Sequence, residues 1–298
     1  MGRATSACVH RQPRAVSPVG GLAPVRPAAV AGSFYPGDAR ELAAVVDTLL
    51  QRARLRAPQG AAPPAPVALV VPHAGYVYSG PVAASAYDWL HDQPVRRVAL
   101  LGPAHYVPLT GIAVPAAAAF ATPIGEVPVE VHTCASLAER HECVTIDDRP
   151  HRPEHSIEVQ LPFLQRVLAQ GWTSVPLAVG ATAPEQVADV LDSLCVDDDL
   201  LPVVSTDLSH YLDQVSAQMR DRRTAQAVVD GDGDAIGPHD ACGGFALRGL
   251  LHWARRHDLD IRLLQLSTSA DTGGDPVRVV GYAAFALLPP TRSLDDRP

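Results

Sequence analysis

PVALVVPH, residues 66–73, is a short unbroken apolar run that ends in a proline and a histidine. A run of this length, bounded by turn-forming residues, reads as a strand buried on both faces. The same pattern returns in RVALLGPAH (97–105), WTSVPLAV (172–179) and LLPVVSTDLSH (200–210). Apolar residues at helical spacing fill 80–91, 156–170 and 183–194, and 213–229 after the last run. Alternating strands and helices predict an α/β fold, a single domain with a central mainly parallel or mixed sheet flanked by helices. In such a sheet ligands bind outside the carboxyl ends of the strands, where the loops gather. His73, His105, Asp207 and His210 all follow strands at that edge.

Outward from this centre, ARELAAVVDTLLQRAR (39–54) has helical periodicity, and Pro36, Gly37 and Asp38 before it suit a turn and an N-cap. APQGAAPPAP (57–66) is a Pro-rich linker. IRLLQLSTS (261–269) and VRVVGYAAFALL (277–288), joined by DTGGDP, form a hairpin that extends the sheet. Residues 1–24 lack hydrophobic periodicity and read as a flexible tail, with 292–298 as a second, so the domain is expected over 25–291.

The chain has 298 residues, 47% hydrophobic and 19% charged, the composition of a soluble globular protein. A net charge of -8 argues against a general phosphate-backbone binder, so no nucleic-acid partner is expected. No apolar stretch is long enough to span a membrane, and Arg3, Arg11 and Arg14 flank no secretory apolar core. Cys8, Cys134, Cys143, Cys195 and Cys242 are scattered without a CxxC pair, which reads as reduced thiols in a cytoplasmic protein.

Each polar residue at the sheet edge has an ordinary alternative. One histidine near a strand end is usually a hydrogen-bonded loop residue, but Gly75 and Gly80 near His73, and Gly102 before His105, let backbone approach a ligand. In DLSH (207–210), Asp207 or Ser209 could equally cap a helix. Cys242, in DACGGFAL (240–247), is either a small packing residue or a thiolate stabilised at the start of a helix over 245–256. Glu154 and His155, in PEHSIEVQLPFL (153–164), read as capping and first-turn charge for a helix whose N-cap is Ser156, with the alternative that His155 sits at the pocket mouth; Pro162 implies a kink or a late start. DGDGD (230–234) resembles a calcium loop but has Ala235 and Ala241 where glycine and glutamate are required. No phosphate-binding loop or GxGxxG is present, and neither Ser79 nor Ser205 sits in a GxSxG elbow.

VAGSFYPGD (30–38), VPHAGYVYSGPVAASAY (71–87), LLGPAHYVPLTGIAV (100–114), EHSIEVQLPFL (154–164), STDLSHY (205–211) and DACGGFAL (240–247) together resemble the Memo family, also called AmmeMemoRadiSam system protein B in prokaryotes. The resemblance implies a fold like the class III extradiol dioxygenases, which are non-heme iron enzymes. It implies that His73, His105 and Cys242 match metal-site positions and that Asp207 and His210 line the same pocket, His210 where the dioxygenases keep a catalytic base. It also implies functional association with radical SAM and AMMECR-type proteins. Ring-cleaving dioxygenases use two histidines and a carboxylate on iron; here the third position is Cys242. The expected cofactor is a divalent or redox metal, iron first, with copper or zinc favoured by thiolate softness.

The leading expectation is a metal-dependent oxidoreductase acting on a small molecule, with His73, His105 and Cys242 as ligands, Asp207 as ligand or orienter, and His210 and His155 as catalytic groups. The alternatives are a binding module whose pocket accepts a peptide or other ligand without turnover, and a zinc hydrolase.

Overall fold

The computed structural model describes residues 24–56, 64–196 and 199–290. The expected tails, apart from Pro24, most of the Pro-rich linker, and Cys8 therefore lie outside the described residues. The elements run β1 (Val25–Arg26), α1 (Ala39–Arg56), β2 (Ala68–Val71), α2 (Tyr76–Tyr87) and β3 (Arg97–Pro103). Next come β4 (Ile112–Val114), β5 (Ala119–Thr122), β6 (Gly125–Pro128), α3 (Val131–Arg140) and β7 (Val144–Ile146). The chain continues through α4 (Leu161–Val167), β8 (Thr173–Val179), α5 (Pro184–Leu194) and β9 (Leu200–Ser205). It finishes with β10 (His210–Leu212), α6 (Gln214–Val229), α7 (Gly244–Arg256), β11 (Asp260–Thr268) and β12 (Val279–Leu288).

The four apolar runs are β2, β3, β8 and β9, adjacent in the order β2-β9-β3-β8 and parallel throughout. Every residue of β9 is buried, as a strand covered on both faces requires. The predicted hairpin is β11–β12, and β12 extends the sheet by pairing antiparallel with β2. On the other side β4 pairs antiparallel with β8, and β7 pairs with β4, which makes the sheet mixed. A second, three-stranded sheet contains β1, β5 and β6.

Helices cover the sheet through apolar faces set by their spacing. In α1, Leu42, Val46 and Leu49 are buried, and Asp38 caps the helix by accepting from the backbone N–H groups of Arg40 and Glu41. A Cβ on Gly249 of α7 would lie 2.3 Å from Val187 Cβ of α5, so glycine is what lets these two helices touch.

Three local expectations are corrected. Ser156 caps no helix: its hydroxyl donates to Pro103 O at 2.9 Å, and a 3-10 turn at Glu158–Gln160 precedes α4, which has Pro162 in its first turn. The late start implied by Pro162 is what occurs, because proline needs no N–H partner there. Asp207 and Ser209 cap no helix either, since Asp213 accepts from Ser216 N–H at the start of α6. The helix expected over 80–91 begins earlier, at Tyr76, and includes Pro81.

Two ionic nodes, one buried and one half-buried, tie further segments to this framework. Glu158 accepts from Ala29 N–H at 2.8 Å, Val30 N–H at 3.0 Å, Tyr35 OH and the Arg26 guanidinium, clamping the N-terminal segment onto the turn before α4. Glu130 joins β3, β8 and α3 by accepting two 2.8 Å bonds from Arg97 and one each from Thr173 and Thr133. The Arg97 hydrogen bonds dominate in holding Glu130 at about 2, against the opposing effect of burial. A carboxylate depressed in the fold stabilises it above the unfolded value and loses that contribution as pH falls through the folded one. Glu130→Gln should therefore cost about 2 kcal/mol near neutral pH, after discounting for partial exposure. In urea unfolding, the gap between the two proteins should narrow as pH falls from 4.5 toward 2. A gap unchanged with pH would contradict the assignment.

Candidate metal centre

The parallel strands deliver the polar residues to one edge. β2 ends at Val71, β3 at Pro103 and β9 at Ser205, and His73, His105 and Asp207 are each the second residue beyond. Cys242 arrives from the loop before α7 and docks on the end of β9. Its N–H donates to Asp207 O at 3.2 Å, and its sulfur accepts from Asp207 N–H at 3.2 Å. Gly243 makes this approach feasible: a Cβ there would lie 2.8 Å from both Ser205 O and Thr206 Cβ. The ligand-capable atoms of His73, His105 and Cys242 all fall within 4.8 Å of one another, with His73 Nε2 3.2 Å from Cys242 Sγ.

Hydrogen bonding decides which ring nitrogens face that point. Pro72 O can only accept, so the Gln160 atom 2.9 Å away is its amide nitrogen, which also donates to Ser205 Oγ at 2.8 Å. Ser205 spends its one proton on Ser156 O at 2.6 Å. Toward His73 Nδ1, 2.9 Å away, Ser205 Oγ must accept, so Nδ1 carries hydrogen and Nε2 presents a lone pair to Cys242. His73 is buried, and that burial drives its pKa well below the ordinary histidine value, which keeps the ring neutral.

His105 is fixed the same way by a carboxylate. Glu154 accepts from His105 N–H at 2.6 Å and from Nδ1–H at 2.9 Å, leaving Nε2 as the free nitrogen. Burial opposes ionisation of Glu154, but the His105 bonds and the N–H groups of His155 and Ser156 outweigh it and hold the carboxyl at about 2. His155 stacks on His105 with ring centroids 4.7 Å apart, and burial lowers it to about 4. His105, Glu154 and His155 form a second group with metal-capable spacing. Because Glu154 is already engaged by His105, this group reads as the support of the first.

Asp207 does not belong to either group. Its Oδ1 accepts from His73 N–H at 2.7 Å, so it fixes the loop carrying the histidine, and burial raises it to about 7. His210 donates Nδ1–H to Leu208 O at 2.8 Å, which frees Nε2, and burial lowers its pKa. Cys242 is not acidified by the start of α7: burial, together with the Asp207 charge, pushes its thiol up to about 12. Its expected thiolate character thus depends on a bound cation.

All six sequence-predicted residues, His73, His105, His155, Asp207, His210 and Cys242, line one cavity of about 840 Å³. Sequence reading missed the orienting roles of Glu154, Gln160 and Ser205. Glu154 adjoined a candidate residue, but nothing local showed that Gln160 and Ser205, 45 positions apart, meet beneath His73. The donor set, two neutral imidazole nitrogens and a thiol sulfur with both rings oriented from behind, suits a metal that accepts nitrogen and sulfur ligands. Among the described residues, no helix is long and apolar enough to cross a membrane.

Residues 26–286 match the family described as Memo-like protein. The chain is 31% identical over 272 residues to a MEMO1 family protein of Thermoplasma volcanium, covering 88% of this chain and 97% of that protein. It is 33% identical over 282 residues to a MEMO1 family protein of Methanopyrus kandleri, with 88% and 98% covered. A MEMO1 family protein of Sulfolobus acidocaldarius is also 33% identical, over 276 residues that cover 87% of this chain and 97% of the relative. The α/β architecture agrees with the dioxygenase-like fold expected from the sequence, and the chain belongs to the Memo family.

Proposed function

We propose that this chain is a metal-dependent oxidoreductase that performs redox or oxygen chemistry on a small molecule. The observation that carries the reading is the convergence of His73 Nε2, His105 Nε2 and Cys242 Sγ, with both histidine tautomers set from behind by Ser205 and Glu154. A bound redox metal, iron as the first expectation or copper, would supply electron transfer or dioxygen activation, whereas zinc, though compatible with the sulfur, would supply neither. The chain's own residues do the rest. His210 Nε2, neutral and facing the cavity, can take a proton from a substrate and return it. Asp207 holds the His73 loop in place, and His155, stacked on His105 in the same cavity, would serve as a second proton carrier.

A second reading, a ligand- or peptide-binding module without turnover, draws on the exposed Tyr106 and Tyr211 at the same mouth. Elemental analysis of protein purified without air or added metal tests the first reading, with one ion per chain as the expected result. Cobalt substitution should add a sulfur-to-metal absorption band that Cys242→Ser removes. Failure to bind stoichiometric metal after anaerobic reconstitution would sink the oxidoreductase reading, and ligand binding undiminished in metal-free protein would favour the module.

A further inference from the structure

We infer that the substrate is a small aromatic carboxylate whose anionic group is held by Arg278 at the cavity mouth; this rests on the small-molecule reading above. Arg278 immediately precedes β12, and its guanidinium lies 4.2 Å from the centroid of the Tyr211 ring, with both residues lining the cavity. Tyr211 is placed there by a bulge. His210 pairs with Val280 and Leu212 with Val279, so Tyr211 is the extra residue of β10. Its φ is +61°, a left-handed conformation unusual for a bulky side chain. Bulges beside functional sites re-aim side chains, and this one turns an exposed tyrosine ring to the rim under an arginine.

The charge around Arg278 leaves it free for a ligand. Arg220, the other cavity arginine, is 3.4 Å from Asp240, whereas Arg278 has no carboxylate within ion-pair distance among the described residues. Asp275, the nearest acidic residue in sequence, accepts from Val277 N–H at 2.9 Å. A guanidinium seated over a ring can still offer its donors as a planar fork, the geometry that matches a carboxylate. Between this rim and the metal-capable floor the walls are aromatic. The Tyr211 ring is 5.6 Å from His210, and Phe34 is 4.6 Å from His155, which stacks on His105. A planar ring stacks on such walls with its carboxylate toward Arg278 and its reacting atoms toward His210.

Calorimetric titration of the purified protein with benzoate, benzyl alcohol and phenyl phosphate tests the inference. Benzoate should bind at least ~10-fold tighter than benzyl alcohol. Arg278→Gln should abolish that preference, and Arg278→Lys should restore only part of it, while metal stoichiometry stays at the wild-type value in both. Equal binding of benzoate and benzyl alcohol, no binding of either, or a preference that survives Arg278→Gln would overturn the assignment. So would a ~10-fold preference for phenyl phosphate over benzoate, which would point to a phosphate-bearing ligand. Loss of metal from the wild-type protein would count against the metal reading, whichever way the anion titrations fall.

Discussion

Cys242→Ser should lower metal affinity by more than ~100-fold, whereas Glu154→Gln should lower it by ~10 to 100-fold, the range for groups that orient a ligand without touching the ion. The order follows from the geometry. Serine removes the sulfur 3.2 Å from His73 Nε2, and with it the one candidate ligand whose anionic form a cation would stabilise. Glutamine at 154 can still accept one bond from His105 but replaces an anion by an amide. The His105 ring then loses charge support while its Nε2 remains available. Competition titration with a chelator measures both affinities. If the Glu154 variant lost as much as the Cys242 variant, Glu154 would have to be a direct ligand, through the second histidine-carboxylate group.

Glu158→Gln should destabilise the fold by about 3–5 kcal/mol, the cost of leaving a buried charge without its partner. Arg26 and Glu158 are both buried, and the carboxylate also serves two backbone N–H groups and the Tyr35 hydroxyl. An amide can satisfy only part of that set. Replacing both partners by apolar residues, as in Arg26→Met with Glu158→Leu, should cost more than the single change, because the Ala29 and Val30 N–H groups, the Tyr35 hydroxyl and the carbonyls of His151 and Glu154 all lose their partners. Urea unfolding with an unchanged slope measures both. A loss under ~1 kcal/mol in the single variant would place the pair with exposed ion pairs and refute the clamp. Arg26 also donates to the carbonyls of His151 and Glu154, so loosening it should reach the residue that orients His105.

The strand ends were legible because they are chemically abrupt. Unbroken apolar runs in β2, β3, β8 and β9 stop at proline, serine or glycine, and parallel pairing then puts every following loop on one edge. The span from β4 to β7 was not legible. Its strands are three or four residues long, too short for a period to register, and they are held by pairing with distant partners such as β8 and β1. The capping assignments failed for a related reason. Ser156 and Asp207 carry the side chains that cap helices, but tertiary contacts with Pro103 O and His73 N–H claimed them first.

Sequence by itself determined the α/β class and brought forward His73, His105, Asp207 and His210, because strand periodicity and the residues after each strand are local facts, while the Memo resemblance pointed to Cys242 as well. Only the tertiary structure decided their chemistry. Histidine tautomers depend on which atoms stand behind the rings, and Ser205, Gln160 and Glu154 reach those positions from separate elements. Ionisation depends on burial, which raises the Cys242 thiol and the Asp207 carboxyl and keeps His73 neutral. Long-range packing sets both, and no single stretch of chain contains it.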